Sequence, residues 1–152
     1  MFSKLFQTGE GWSLLILRVF LGIVIFPHGA QKIFGWFGGY GFAGTMANFT
    51  DRMHIPWIFA LLAILAESLG SWGLIIGFLT RIAAFGILCN MMVAILLVHL
   101  PNGFFMNWGG KQKGEGFEYH LLAISICIAL MIAGGGKWSV DREVAKHLGS
   151  EQ

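Results

Sequence analysis

Glu67 is the costliest residue in this sequence. It lies about eleven residues into the apolar stretch Pro56 to Leu79, roughly 16 Å along a helix. That depth is near the middle of a bilayer, where a charge costs about 3 kcal/mol on insertion scales. The carboxyl therefore needs a partner, a cavity or a purpose. It reads either as a protonated acid bonded to a neighbouring helix or as a proton or ligand group in a buried site. His28, Gln31, Lys32 and Gly35 follow i, i+3, i+4, i+7 and share one helix face. Pro27, just before them, predicts a bend and a freed carbonyl. Lys32 alone could snorkel to the headgroups, but three polar groups on one stripe read as a site. Glu118 opens another apolar stretch, where a carboxylate also suits the helix dipole. His120 points about 200° away from it, so a shared pocket is predicted to take Glu118 and not His120. His99 ends a third stretch and precedes Pro101-Asn102-Gly103-Phe104-Phe105. Asn90, nine residues earlier and on the opposite face, reads as an interhelical hydrogen bond.

Four apolar stretches must position these groups: Trp12 to about Phe34, Pro56 to Leu79, Ile82 to Leu100, and Phe117 to Ala133. Each is near the roughly 20 residues that cross a bilayer as a helix, and helices satisfy every backbone group within lipid. The chain is 56% apolar and only 12% charged, about half the charged fraction usual for a soluble domain. A soluble bundle burying these faces all round would need a much larger protein. The first apolar stretch runs past signal-peptide length with no small-residue cleavage site, so it reads as retained. Thr80-Arg81 makes a tight hairpin between spans two and three. The longer loops Gly35 to Ile55 and Pro101 to Gly116 then share one membrane side, opposite both termini. In the first loop, Phe42, Met46, Phe49 and Met53 recur at helical spacing, which predicts a short interfacial or re-entrant helix. Ala66, Gly70, Gly73 and Gly77 form a small-residue packing ridge. The expected architecture is all-α: one four-helix transmembrane bundle over residues 1–152.

The terminal side carries Lys4, Arg18, Arg81, Lys137, Arg142 and Lys146, and the loop side Lys32, Arg52, Lys111 and Lys113. This bias of six to four places both termini in the cytoplasm. Trp12, Trp36, Trp57, Trp108 and Trp138 fall near span ends, as interfacial anchors do. The net charge of +2 is small and scattered, which argues against a nucleic-acid partner. Cys89 and Cys127 form no CxxC and no metal spacing, so no bound metal is expected. They read as plain buried thiols more readily than as a redox pair.

The same residues carry a family resemblance. The stretch from His28 to Gly39 (HGAQKIFGWFGG), then Glu67-Ser68-Leu69-Gly70, Gly77-Phe78-Leu79-Thr80-Arg81 and His99-Leu100-Pro101-Asn102-Gly103-Phe104-Phe105, resemble the DoxX family of bacterial and archaeal membrane proteins. Glu118-Tyr119 and Gly136-Lys137-Trp138-Ser139-Val140-Asp141 extend the match, which runs from about Leu14 to Asp141. The resemblance implies a four-helix membrane bundle in a bacterial or archaeal cell membrane. It also implies a link to membrane redox chemistry: the namesake is similar to a subunit of a thiosulfate:quinone oxidoreductase, and actinobacterial relatives are associated with thiol stress complexes. Family membership supports a fold better than a reaction.

On that footing the leading expectation is a quinone-linked oxidoreductase subunit with a polar site near the outer membrane face. His28, Lys32 and His99 could donate to quinone carbonyls, and Glu67 or Glu118 could relay protons. Trp36, Phe104 and Phe105 could wall the ring, with Gln31 and Asn102 adding polar contacts. Electrons would come from a partner redox subunit or a bound cofactor. Haem held by His28 and His99 is a weaker variant, since paired histidines near an interface are common without metal. The alternative is a non-enzymatic scaffold or small-molecule carrier, for which four helices would favour a homodimer.

Overall fold

The computed structural model describes residues 3–149. Its elements are α1 (Ser3–Phe6), α2 (Trp12–Phe34), α3 (Gly41–Ala47), α4 (Trp57–Ile76), α5 (Thr80–Ala94), α6 (Glu118–Ala133) and α7 (Val140–Gly149). A π turn (Asn48–Arg52) continues α3, and a second one (Ile95–His99) followed by a 3₁₀ turn (Leu100–Asn102) continues α5. Three helical segments, Trp12–Phe34, Trp57–Ile76 and Thr80–Asn102, are long and apolar enough to cross a membrane, and α6 is a shorter apolar helix. These four form the expected helical membrane bundle. α2 packs on α4, α4 on α5, and α5 on α6, while α6 touches α2 to close the ring. The centre is Leu21, Ile25, Leu74, Ile87, Met91, Cys127 and Leu130. The outward faces are apolar as well, with Phe20, Leu69, Leu122 and Ile132 exposed, as lipid requires. All five tryptophans expected at the interfaces are exposed.

α2 ends on Gly35 and α4 on Gly77, both left-handed (φ 71° and 73°), where a side chain would be strained. α2 runs unbroken through Pro27. Ile25, Gly29 and Ala30, buried on either side of the proline, hold the helix to its neighbours, and membrane helices tolerate a missing N–H in this way. The helix expected in the first loop is α3 with its π turn. It is tucked back over the bundle: Met46 packs on Ala60 and Ile64 of α4, with Phe49 and Ile55 beside them.

The terminal end of the bundle is closed by two groups that sequence reasoning did not single out structurally. Arg18 is buried at 1% exposure. Its guanidinium donates to the carbonyls of Gly135 (2.7 Å), Leu74 (2.9 Å), Ile75 (2.6 Å), Lys137 (3.2 Å) and Trp138 (2.7 Å). It thereby satisfies the bare C-terminal carbonyls of α4 and fastens them to the segment after α6. Asp141 accepts from the Leu79 and Thr80 N–H groups (2.7 and 2.9 Å), capping α5. Arg81 donates to the Ile132 and Gln7 carbonyls (2.9 and 3.0 Å). Gly77 is required here: a Cβ would lie 2.7 Å from Ser139 Cα and 2.9 Å from Arg18 Cζ.

One ammonium cannot replace a five-donor fork. Arg18→Lys is therefore expected to cost about 2–4 kcal/mol, since bonds to charged donors contribute about 1.5–3 kcal/mol each. Thermal unfolding in mild detergent, followed by circular dichroism, reads the loss. An unchanged midpoint would show that the carbonyl cluster does not depend on the fork.

Candidate functional site

The site begins with two helices held unusually close. A Cβ on Gly29 of α2 would lie 2.7 Å from the Glu67 carbonyl oxygen and 2.7 Å from Ser68 Cα on α4. One on Gly22 would lie 2.8 Å from the Ser71 carbonyl oxygen. Contact at this range is what glycine gives helices in lipid. It brings Lys32, one turn beyond Gly29, within reach of Glu67, and the Lys32 ammonium forms an ion pair with Glu67 Oε2. The other carboxylate oxygen, Oε1, accepts from Asn90 Nδ2 on α5. Asn90 thus makes the interhelical bond expected of it, and the partner is Glu67. The pair is well shielded: the Glu67 side chain is 7% exposed and that of Lys32 20%.

A cavity of about 1430 Å³ opens beside this pair and is also lined by His28, His99, Tyr119 and His120. Asn48 and Phe49 from the π turn after α3 and Met53 just beyond it, with Met106 and Glu115 from the second loop, border it on the loop side. The His99 and His120 rings lie 4.1 Å apart at 42°. His99 Nδ1–H donates to the Glu115 carbonyl at 2.8 Å. The Tyr119 hydroxyl and His120 Nδ1 are buried without a hydrogen-bond partner among the described residues. Among those residues no group of three His, Cys, Asp or Glu is placed to hold a metal ion.

Of the site residues expected from sequence, His28, Lys32, Glu67 and His99 line this cavity. The other five shape the loops. Gln31 Nε2 donates to the Phe37 carbonyl (3.3 Å) and Asn102 Nδ2 to those of Val98 (3.3 Å) and Glu115 (3.2 Å). Trp36 rests on Phe34, with ring centroids 5.1 Å apart. Phe104 stacks edge-on with Phe105 and Phe117 at 5.2 and 5.5 Å. Glu118 Oε1 accepts the Met106 N–H at 2.8 Å and so pins the second loop to the start of α6.

The angular argument separating Glu118 from His120 holds, but it is His120 that faces inward. The signal was present in the buried stripe His120, Ala123, Cys127, Leu130 of α6, whose i, i+3, i+7, i+10 spacing continues the core. His99 and Asn90 line one cavity despite a separation that puts them on opposite faces of a regular helix. The wider π turn Ile95–His99 between them takes up one extra residue, which turns His99 back by about 100°. Of the two cysteines, Cys127 is buried and Cys89 exposed.

The profile described as DoxX matches residues 13–100. This chain belongs to the DoxX family. The matched stretch holds His28, Lys32, Glu67, Asn90 and His99, whereas Tyr119 and His120 lie beyond it. An "Uncharacterized protein" of Haemophilus influenzae is 30% identical over 94% of this chain and 90% of its own length. An "Uncharacterized membrane protein" of Mycobacterium tuberculosis is 30% identical over 89% of this chain and 83% of its own. A Bacillus subtilis protein named "Putative oxidoreductase CatD" is 30% identical over 84% of this chain and 82% of its own. No solved structure matches the chain. Family and apolar helices together make this an integral membrane protein.

Removing either partner of the ion pair strands a charge. Lys32→Met and Glu67→Gln should each cost about 3 kcal/mol, the lower end for a buried pair because Lys32 keeps some exposure. The double variant should recover most of that loss. A double-mutant cycle on unfolding midpoints in detergent measures the coupling, and additive losses would mean that the two charges do not depend on one another.

Proposed function

We propose that the protein binds a quinone headgroup beside the Lys32–Glu67 pair and serves as the membrane-embedded subunit of an oxidoreductase. The observation that carries this reading is the set of polar side chains lining one cavity beside the ion pair: His28, His99, Tyr119 and His120. The Tyr119 hydroxyl and His120 Nδ1 are buried behind that lining without partners among the described residues; each such atom costs about 1–3 kcal/mol, which a ligand's carbonyl oxygens would offset once the rings turn toward it. Quinone chemistry also matches the groups present. Reduction to the quinol takes up two electrons and two protons, and His28, Lys32, His99, Tyr119 and His120 are proton carriers lining one cavity. The electrons would come from a partner redox subunit. The name of the Bacillus subtilis relative supports the redox half of this reading.

We place the termini on the cytoplasmic face of a bacterial inner membrane. Arg18 and Arg81 are engaged by carbonyls and Lys32 by Glu67. The remaining bias is four (Lys4, Lys137, Arg142, Lys146) to three (Arg52, Lys111, Lys113). The polar chamber then lies toward the outer face.

Duroquinone, a quinone ring without a tail, is the direct probe, titrated into the purified protein in nanodiscs and followed by tryptophan quenching. Saturable binding is expected. His120→Phe and Tyr119→Phe should each weaken it about 3- to 10-fold, the worth of one hydrogen bond, with the fold unchanged by circular dichroism. Absence of saturable binding, or indifference to both variants, would reject the reading in favour of a scaffold or carrier role. Glu67→Gln, made with Lys32→Met to keep the fold, should lower quinone-coupled turnover with the native electron donor.

A further inference from the structure

The cavity does not end at the polar chamber. From Glu67 it continues along the outer seam of α4 and α5 as far as Ile76 and Ile82 near the hairpin. On α4 that is nine residues, or about 14 Å. Its floor is made of residues with almost no side chain, Gly70, Gly73 and Gly86, and its walls include Leu69, Trp72 and Phe85, all three exposed. No charged residue lines it between Glu67 and the hairpin. We propose that this trough seats the alkyl or isoprenyl tail of the quinone, so that the ligand is a membrane lipid that reaches the chamber sideways from the bilayer between α4 and α5.

Three observations carry the assignment, which rests on the quinone reading above. The first is continuity: chamber and trough are one cavity. Its volume of about 1430 Å³ exceeds the roughly 300–1,000 Å³ of ordinary small-molecule sites, so a bare ring leaves much of it unfilled. The second is the contrast between its ends, one carrying His28, Lys32, Glu67 and His120 and the other wholly apolar. That is the shape of an amphiphile with a polar head and a long tail. The third is access. The loop side is bordered by Asn48 and Phe49 of the π turn, by Met53 just beyond it and by Met106 and Glu115 of the second loop, whereas the exposed trough walls Leu69, Trp72 and Phe85 face outward, where lipid lies. A second copy of the chain laid over α4 and α5 could cover the apolar part, but it could not satisfy the polar atoms of the chamber behind it.

The test compares duroquinone with its decyl analogue, in which one ring methyl carries the chain, in nanodiscs. Leu69→Trp and Ile82→Trp add bulk at exposed positions lining the trough, on the hairpin side of Glu67. Ile132→Phe, on the lipid face of α6 and outside the cavity, is the control. Overfilling a packed site costs about 1–3 kcal/mol, so either trough variant should weaken the decyl analogue about 10-fold. The same variants should leave duroquinone within about twofold, and the control should change neither. Equal effects on both quinones, or none on the decyl analogue, would overturn the tail assignment while duroquinone binding keeps the headgroup reading. Failure of duroquinone to bind the unaltered protein would remove the headgroup reading and this inference with it. Native mass spectrometry of the same samples adds the last arm: a dimer that either trough variant dissociates would show the trough to be an interface between copies, against the proposal.

Discussion

A lysine and a glutamate facing each other inside a lipid-embedded bundle set the terms for the rest of this structure. On insertion scales a charge at mid-bilayer costs about 3 kcal/mol, so the fold must give Glu67 a partner. Gly22 and Gly29 let α2 lie against the α4 backbone, and that approach puts the Lys32 ammonium on the Glu67 carboxylate. Asn90 brings in α5 through the second oxygen. The ion pair is thus a statement about three helices at once. In lipid no hydrophobic drive holds helices to one another, and a shared carboxylate is one of the few directional contacts that can set their register.

The two ends of the bundle divide the remaining work. At the terminal end, Arg18, Arg81 and Asp141 bond mainly to backbone, and every partner is a helix end or a turn. That chemistry finishes elements and leaves no polar atom of Arg18 or Asp141 for a ligand. Among the described residues, buried side-chain atoms without partners occur at both ends, Thr80 Oγ1 and Arg81 Nε at the terminal end, the Tyr119 hydroxyl and His120 Nδ1 toward the loop side; of these residues Tyr119 and His120 line the cavity. Buried polar groups are nearly always satisfied in folded proteins, so unsatisfied ones gathered beside a cavity mark the end where binding is to be sought.

Span limits, the hairpin and the tucked helix were legible in the sequence because each rests on a local signal: apolar length, a Thr-Arg break, or the spacing of Phe42, Met46, Phe49 and Met53. His28, Lys32, Glu67 and His99 were legible because polar groups in an apolar run are few and costly. What failed to show was orientation. A helical wheel gives the angle between Glu118 and His120 but not which of them meets the bundle, and only the buried stripe through Ala123 and Cys127 decides it. The π turn at Ile95–His99 changes the phase between Asn90 and His99, and no residue in it announces a widened turn. Arg18 was counted as a topological charge because an arginine near a span end has two uses, and the sequence does not show which carbonyls lie nearby. Gln31, Trp36, Asn102 and Phe104 have the right chemistry for a site, yet loop backbone and neighbouring rings engage them first.

The placement of the ligand-facing groups bears on how this family relates fold to reaction. The family profile covers the charged frame of Lys32, Glu67 and Asn90. Tyr119 and His120 stand on α6 and line the cavity, each with one buried polar atom that has no partner among the described residues. The frame has a structural reason to persist wherever α2, α4 and α5 pack in lipid, because losing one charge leaves the other stranded. Tyr119 and His120 are under no such constraint from folding; filling those positions with apolar side chains would relieve an unsatisfied bond instead of creating one. This chain carries both groups at a cost that its own packing does not offset, and their partner is to be sought in what enters the cavity that both residues line.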